Sequence, residues 1–305
     1  MRFRVGVDLG GTKTAVAVLN ADNDTICSLR RPTPSADYRA IVSTIADMIA
    51  EARAATGFEE RAPIGVGIPG ALEKDRSTVK NANTVALIGK PLAQDLTAAL
   101  GAPAIVENDA NCFIASEAAD GAAKEAEVAF GVILGTGVGG GIAIRGRPIG
   151  GANLSAGEWG HNPFPNYGRP PTNHRCYCGE LDCIETILSG PALERDFREA
   201  TGRDLTGAEI AALAAEGEAE AQAAIETYAE NLARALSTVI NILDPDVIVL
   251  GGGVSGVDAL YAVVPTYWDR YVFNAADEPR PIATRLVKNR WGDDSGVRGA
   301  AWLTA

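Results

Sequence analysis

Gly6-Val7-Asp8-Leu9-Gly10-Gly11-Thr12-Lys13, residues 6–13, decides the fold, because residues 131–137, Gly131-Val132-Ile133-Leu134-Gly135-Thr136-Gly137, repeat its Gly, Val, Leu and Gly in register. Phe3 to Leu19 and Val128 to Ile144 each read as two apolar strands joined at a glycine tip, where positive φ is sterically free and amides stay exposed. Each copy opens a βα series of domain length, so the chain reads as a duplication. After the first hairpin, Ile41, Ile45, Met48, Ile49 and Ala52 trace one helical face between Asp37 and Thr56, and Ile64 to Ile68 is a short buried strand ending at Pro69-Gly70. Leu92 to Leu100 and Ala110 to Ala119 have helical spacing, with a strand from Ala104 to Glu107 between them.

Beyond the second hairpin, Gly146 to Arg175 is rich in Gly, Pro and Asn and reads as a long irregular loop of the kind that carries function or is pinned by a metal. Thr206-Gly207-Ala208-Glu209 is a capping box, and Ala219 to Leu243 is a long Ala-rich helix that stops at Asp244-Pro245. Val247-Ile248-Val249-Leu250 is a buried strand leading into Gly251-Gly252-Gly253, a third place where backbone can approach a ligand, and a small-residue helix follows from Ser295.

The 305 residues are 47% hydrophobic and 22% charged, enough for two packed domains. A formal net charge of −12 repels phosphate backbones and anionic lipid, which argues against nucleic acid and membrane partners, while a small anionic ligand is still accommodated by local amides and a divalent cation. No apolar run approaches the roughly 20 residues that cross a bilayer, and Met1-Arg2-Phe3-Arg4 leads into a strand rather than a signal peptide. Three of the five cysteines cluster, which suits a metal site in a reducing compartment; a cytoplasmic protein is expected.

Four constellations carry chemistry. Asp8 to Lys13 and Gly135 to Gly141 are expected to face each other across a cleft and clamp phosphates through their amides, with Thr12, Lys13 and Thr136 adding hydroxyls and charge and Asp8 placed to hold Mg²⁺. The plainer alternative is two tight β-turns, and neither a Walker A loop nor a Rossmann fingerprint is present. Asn108-Asp109-Ala110 follows a strand and opens a helix, so Asp109 suits a general base, although the plainer reading of the spacing alone is that Asn108 or Asp109 caps the helix. Cys176, Cys178 and Cys183 supply three thiolates for a structural zinc, with His161 or His174 as the fourth ligand. Glu158 and Glu185 flank those ligands and, with Asn83, provide the acceptors that a polyhydroxylated ligand needs, or are solvated loop acids.

Asp8-Leu9-Gly10-Gly11-Thr12-Lys13, Gly67-Ile68-Pro69-Gly70, Asn108-Asp109-Ala110-Asn111, Leu134-Gly135-Thr136-Gly137-Val138-Gly139-Gly140-Gly141 and Gly157-Glu158-Trp159-Gly160-His161, with the cysteine segment through Glu185 and Gly251-Gly252-Gly253, together resemble the ROK group of sugar kinases and sugar-responsive repressors along the whole chain. The resemblance implies an α/β, duplicated actin-like (ribonuclease H-like) fold with two domains around a central cleft, the smaller from residues 1–115 with 293–305 and the larger from 116–292. It implies ATP and Mg²⁺ at Asp8, Gly10, Gly11, Thr12, Lys13, Thr136, Gly137, Gly252 and Gly253. Asp109 becomes the base, and Gly70, Asn83, Asn108, Glu158, His161 and Glu185 the sugar contacts. It selects His161 over His174 as the zinc ligand, with the second ring nitrogen facing the sugar, and it implies a homodimer.

One departure is Asp182, where the group usually has Gly just before the last cysteine; Asp tolerates left-handed backbone better than most residues, so the turn is expected to survive with some strain. Within the group, the Gly157 to Pro163 and Cys176 to Thr186 segments look most like bacterial fructokinases, some of which accept mannose. The reaction expected is therefore ATP-dependent phosphorylation of fructose, or mannose, to the 6-phosphate, with glucose and N-acetylhexosamines as alternatives. A sugar-sensing repressor is disfavoured by acidic charge and by a first strand close behind Met1. An actin-like ATPase acting on a partner protein leaves Glu158, His161 and the cysteines unexplained.

Overall fold

A computed structural model describes residues 3–168, 170–274 and 281–304. The chain forms two compact units, one of residues 1–124, 141–156 and 293–305, the other of residues 125–140 and 157–292. Unit 1 begins β1 (Arg4–Leu9), β2 (Lys13–Leu19), β3 (Thr25–Pro32), α1 (Tyr38–Thr56), β4 (Ile64–Ile68), β5 (Ala71–Leu72), β6 (Val79–Lys80), α2 (Leu92–Leu100), β7 (Ala104–Asn108) and α3 (Asp109–Asp120). The chain continues through β8 (Val128–Leu134), β9 (Val138–Ile144) and β10 (Arg147–Pro148), then α4 (Glu185–Leu188), α5 (Gly190–Thr201), α6 (Gly207–Ala215) and α7 (Ala219–Leu243). It ends with β11 (Val247–Gly251), α8 (Ala259–Val263), α9 (Trp268–Tyr271), β12 (Arg285–Lys288) and α10 (Ser295–Trp302).

The two large sheets have the orders β3-β2-β1-β4-β7 and β10-β9-β8-β11-β12, one topology used twice, which is the duplicated actin-like α/β fold. In each, a strand pairs in parallel with a later one, β1 with β4 and β8 with β11, as buried central strands do. Among the described residues no helix is long and apolar enough to cross a membrane.

Helix α1 illustrates why the local sequence folds as it does. Asp37 caps it by accepting from the Arg39 and Ala40 amides at 2.9 and 3.2 Å, and Gly57, at φ 69°, ends it in the left-handed conformation. Ile41, Ile45, Met48 and Ile49 face the sheet at no more than 1% exposure, each burial contributing about 1.5–3 kcal/mol.

The register of the first sheet sets Arg30, Ala15, Asp8, Gly67 and Glu107 side by side on β3, β2, β1, β4 and β7. Residues directly opposite share a sheet face, so Asp8 stands in a row with small neighbours on both sides. Helix α10 closes this sheet through glycines: a Cβ on Gly6 would fall on the Val297 carbonyl, one on Gly65 on the Ala300 carbonyl, and one on Gly299 on the Cys112 carbonyl of α3. Buried polar ties reinforce the α3–α10 contact, with Ser295 Oγ donating to Glu117 Oε1 at 2.9 Å and Arg298 paired with Asp120 at 2.7 Å.

The unit boundaries differ from the expected ones at 116–124 and 141–156. Helix α3 does not stop at 115, and Gly141 lies so close to the Ala110 carbonyl that residues after it join unit 1. Several elements are absent from the sequence reading, β3, β12 and α5 among them. Strand β3 carries Arg30 and Arg31 on a sheet edge, β12 is four residues long with charges at both ends, and α5 begins with Gly190-Pro191. Proline is tolerated there because the first helical turn has no amide to lose, and Ser189 supplies the cap.

Candidate active site

In unit 1 the tip Gly10 to Lys13 is a closed turn, with the Gly10 amide donating to the Lys13 carbonyl at 2.9 Å. Thr33 anchors it: its hydroxyl donates to the Gly10 carbonyl at 2.8 Å, its amide to the Thr12 carbonyl at 2.9 Å, and its Oγ1 meets that of Thr14 at 2.8 Å. Gly11, Thr12 and Lys13 stay exposed. Behind the tip, burial pushes the Asp8 carboxyl up to about 6, with the Arg30 guanidinium pulling it down. A Cβ on Gly296 would sit 2.9 Å from Asp8 Oδ2, so only a glycine leaves room beside that oxygen.

At the start of α3 the cap belongs to Asn108, whose Oδ1 accepts from the Ala110 and Asn111 amides at 2.8 and 3.2 Å. Asn108 Nδ2 donates to the Gly70 carbonyl at 3.0 Å, tying the cap to the loop after β4. Asp109 is the first helical residue, half-buried, with Oδ1 2.8 Å from the Ala110 amide that Asn108 already caps. Gly70 packs so tightly on Ala82 that a Cβ would approach it to 2.8 Å, and the neighbouring Asn83 amide donates to the Pro69 carbonyl at 2.9 Å. Gly70, Asn83, Asn108 and Asp109 therefore form one hydrogen-bonded and packed cluster.

In unit 2 the second tip closes one residue tighter than the first, with the Gly135 amide donating to the Gly137 carbonyl at 3.0 Å. Glu185 sits on it: Oε2 accepts from the Val138 amide at 3.0 Å, and Gly137 has no space for a side chain because of that carboxylate. The Glu158 to His161 turn is fixed to the same hairpin by Trp159, which packs edge-on against Phe130 at 5.7 Å. A cavity of about 650 Å³ opens beside the tip, walled by Thr136, Glu194, Thr206, Gly207, Gly253 and Val257 among others. Thr136 and Gly253 are expected members; Gly252 instead packs on the Leu134 backbone at φ 80°. The Glu194 and Gly207 wall is a contribution the sequence reading missed, although the capping box at Thr206 marks it, and Glu194 Oε1 accepts from the Gly207 amide at 2.9 Å.

The cysteine loop folds around a potential metal position. Donor atoms of His161, Cys176, Cys178 and Cys183 all lie within 4.8 Å of one another, while His174 bonds to the adjoining turn through its backbone. A zinc ion holding thiolates at about 2.3 Å spaces tetrahedral ligands near 3.8 Å. Cys178 and Cys183 Sγ are 3.6 Å apart, and Cys176 Sγ is 3.5 Å from His161 Nδ1, so the donor set fits. Burial pushes the Cys183 thiol up to about 12 and raises Cys176, whereas the Glu180 amide lowers Cys178; metal binding therefore displaces protons.

Asp182 adopts φ 53°, the left-handed conformation that the turn demands. Its buried carboxylate accepts from Thr172 Oγ1 at 2.6 Å and from the Asn173 and His174 amides at 3.1 and 2.9 Å. Burial opposes its charge, but those bonds outweigh burial and hold it below the usual carboxylate range. The resemblance turns the second ring nitrogen of His161 to the sugar; in the structure Nε2 is 3.0 Å from the hydroxyl of Tyr177, the two rings edge-on at 88°. Burial, then the charges of Glu185 and Glu158, push that phenol up to about 12, so it shares its surroundings with both acids.

The sequence profile of the ROK family matches residues 4–305. N-acetyl-D-glucosamine kinase of Citrobacter koseri is 38% identical over 303 residues, covering 98% of each chain, and the protein of that name from Salmonella heidelberg is 37% identical over the same span. Among solved structures, a ROK hexokinase from Thermus thermophilus superposes with TM-score 0.83 at 30% identity, covering 99% of this chain and 97% of that one. A ROK family glucokinase from Streptomyces griseus, in complex with glucose and AMPPNP, gives 0.81 at 27% identity, covering 99% and 98%.

Proposed function

We propose, because this chain belongs to the ROK family, that it transfers the terminal phosphoryl group of ATP to the 6-hydroxyl of a hexose, and that the hexose is N-acetylglucosamine. The observation that supports the catalytic reading is the placement at α3: Asn108 caps the helix and is tied to the Gly70 carbonyl, and Asp109 follows half-buried as the first helical residue of that cluster. Likeness to N-acetyl-D-glucosamine kinases along 98% of the chain supports the acetamido sugar over the fructose that the local motifs suggested.

On this reading ATP occupies the cavity at Thr136 and Gly253 and the tips at Gly10, Gly11, Thr12, Lys13 and Gly137, with Gly252 shaping the same loop. The sugar is assigned to Gly70, Asn83, Asn108, Glu158, His161 and Glu185, whose oxygens and amides match vicinal hydroxyls. The hydroxyl oxygen forms a bond to the γ-phosphorus as the bond to the β,γ-bridging oxygen breaks, and its proton passes to the Asp109 carboxylate. A sugar hydroxyl is too weak an acid to ionise first, so Asp109 takes the proton late and positioning supplies most of the rate. Mg²⁺ when bound neutralises charge on the phosphate oxygens; Asp8 would hold it, in space that Gly67 and Gly296 leave open. A structural zinc on His161, Cys176, Cys178 and Cys183 would fix the loop bearing Glu185. A cytoplasmic homodimer belongs to the same reading, light scattering being its direct measure.

ADP release with N-acetylglucosamine, N-acetylmannosamine, glucose, mannose and fructose at one ATP concentration tests the proposal. Highest kcat/KM for N-acetylglucosamine is expected. A preference for fructose overturns the sugar assignment, and ATP turnover indifferent to every sugar overturns the kinase.

A further inference from the structure

Thr84 is 3% exposed, and its hydroxyl has no hydrogen-bond partner among the described residues. It occupies the cap position of the short turn Val85–Leu87, where a threonine ordinarily bends its hydroxyl back to a free amide; this one makes no such bond. Oγ1 instead lies beneath the hairpin tip, 3.8 Å from where a Cβ on Gly11 would be. The backbone on either side is held, by the Asn83 amide on Pro69, by Ala82 against Gly70, and by the Leu87 amide on the Thr84 carbonyl at 3.0 Å. The hydroxyl is therefore kept in place rather than merely left over by a loose loop.

An orphaned buried hydroxyl is destabilising, and a valine of the same shape would avoid the cost. A polar group retained at that cost, next to a tip with exposed amides, has the character of one whose partner arrives with the ligand. On the kinase reading, which this inference rests on, the group seated at Gly11 is the phosphoryl in transit. We infer that Thr84 is a further residue of the phosphoryl site, its hydroxyl donating a hydrogen bond to that group. Its neighbours complete the logic: Asn83 is the next residue on one side, and the Gly70 that packs on Ala82 accepts from the Asn108 that caps the helix of Asp109. One short turn thus links the sugar side, the base and the phosphate tip.

The test is Thr84→Val, Thr84→Ser and Thr84→Ala in the full chain, read by thermal melting, kcat and sugar KM. Thr84→Val should melt no lower than wild type, because it removes an unsatisfied group, and yet lose about tenfold or more in kcat with sugar KM within about twofold. Thr84→Ser should recover most of that kcat. A Thr84→Val protein that melts normally and keeps kcat within about twofold overturns the inference. Should Thr84→Val fail to fold, Ser against Ala decides: equal kcat in the two overturns it, and a tenfold gap sustains it. Wild-type protein without sugar-dependent turnover overturns the kinase reading, and this inference falls with it.

Discussion

Asn108 and Asp109 are adjacent, both polar and both within bonding distance of the Ala110 amide, yet substituting them should have opposite consequences. Asn108→Ala removes the acceptor for two amides and the donor to the Gly70 carbonyl. Loss of an asparagine cap costs about 1 kcal/mol, and a stranded Gly70 carbonyl adds a similar amount, for a total of about 1–3 kcal/mol. In a chain this long that is a fall of only a few degrees in melting temperature, so urea titration is the sharper measure. Asp109→Asn keeps an oxygen in the same place and leaves the Asn108 cap intact, losing mainly the acidic charge in the first helical turn, so its stability should stay within about 1 kcal/mol of wild type. Its turnover should fall about 10²–10⁴-fold, since an amide accepts no proton, with N-acetylglucosamine binding still measurable by calorimetry. Asp109→Asn losing as much stability as Asn108→Ala, or keeping more than a tenth of wild-type kcat, would refute the reasoning.

Three further outcomes are expected. Asp8 is neutral below its value of about 6, so turnover at limiting Mg²⁺ should decline as pH falls through 6 and recover with added Mg²⁺. Because that value exceeds the unfolded one of 3.8, the folded state binds the proton more tightly; the stabilisation is complete below 3.8 and lost as pH rises through 6. Asp8→Asn should then melt higher than wild type at pH 8, and a flat Mg²⁺-limited profile from pH 5 to 7 would contradict the assignment. Asp182→Ala strips three bonds and keeps the left-handed strain, whereas Asp182→Gly strips the bonds and relieves the strain, so chelator competition should release zinc most readily from Ala, then Gly, then wild type; zinc retained equally by all three speaks against a metal-pinned turn. Tyr177→Phe frees His161 Nε2 for the sugar and should tighten sugar binding about two- to tenfold without moving kcat, so weaker binding would mean that the phenol contacts the sugar itself.

Much of this was legible in the chain. The repeated hairpins, the helix from Asp37, the capping box at Thr206 and the clustered cysteines are local signals, each set by a few neighbouring residues. What escaped depends on register or packing. Strand β3 hides behind its arginines, and no linear pattern says that Arg30 shares a sheet row with Asp8. Residues 141–156 join unit 1 because Gly141 touches α3, a contact spanning some thirty residues of sequence. Tyr177 reads as a spacer between two cysteines until the fold turns it onto His161. Asp182 was flagged as a departure, and only the structure gives it a task beyond tolerating the turn. The fructose expectation rests on the Glu158 turn and the cysteine loop, whereas preference among hexoses follows from pocket shape.

The glycine-mediated seat of α10 bears on how the polypeptide matures. Helix α3 ends at Asp120 and α10 begins at Ser295, about 175 residues later, yet α10 covers β1 and β4 and locks onto Cys112. At translation speeds of about 5–20 residues per second, the first half of the nascent chain waits roughly 10–35 s for the piece that completes its own interior. During that interval the backbone around Gly6 and Gly65 is bare on one side, and the ribosome-bound intermediate is a natural client for chaperones.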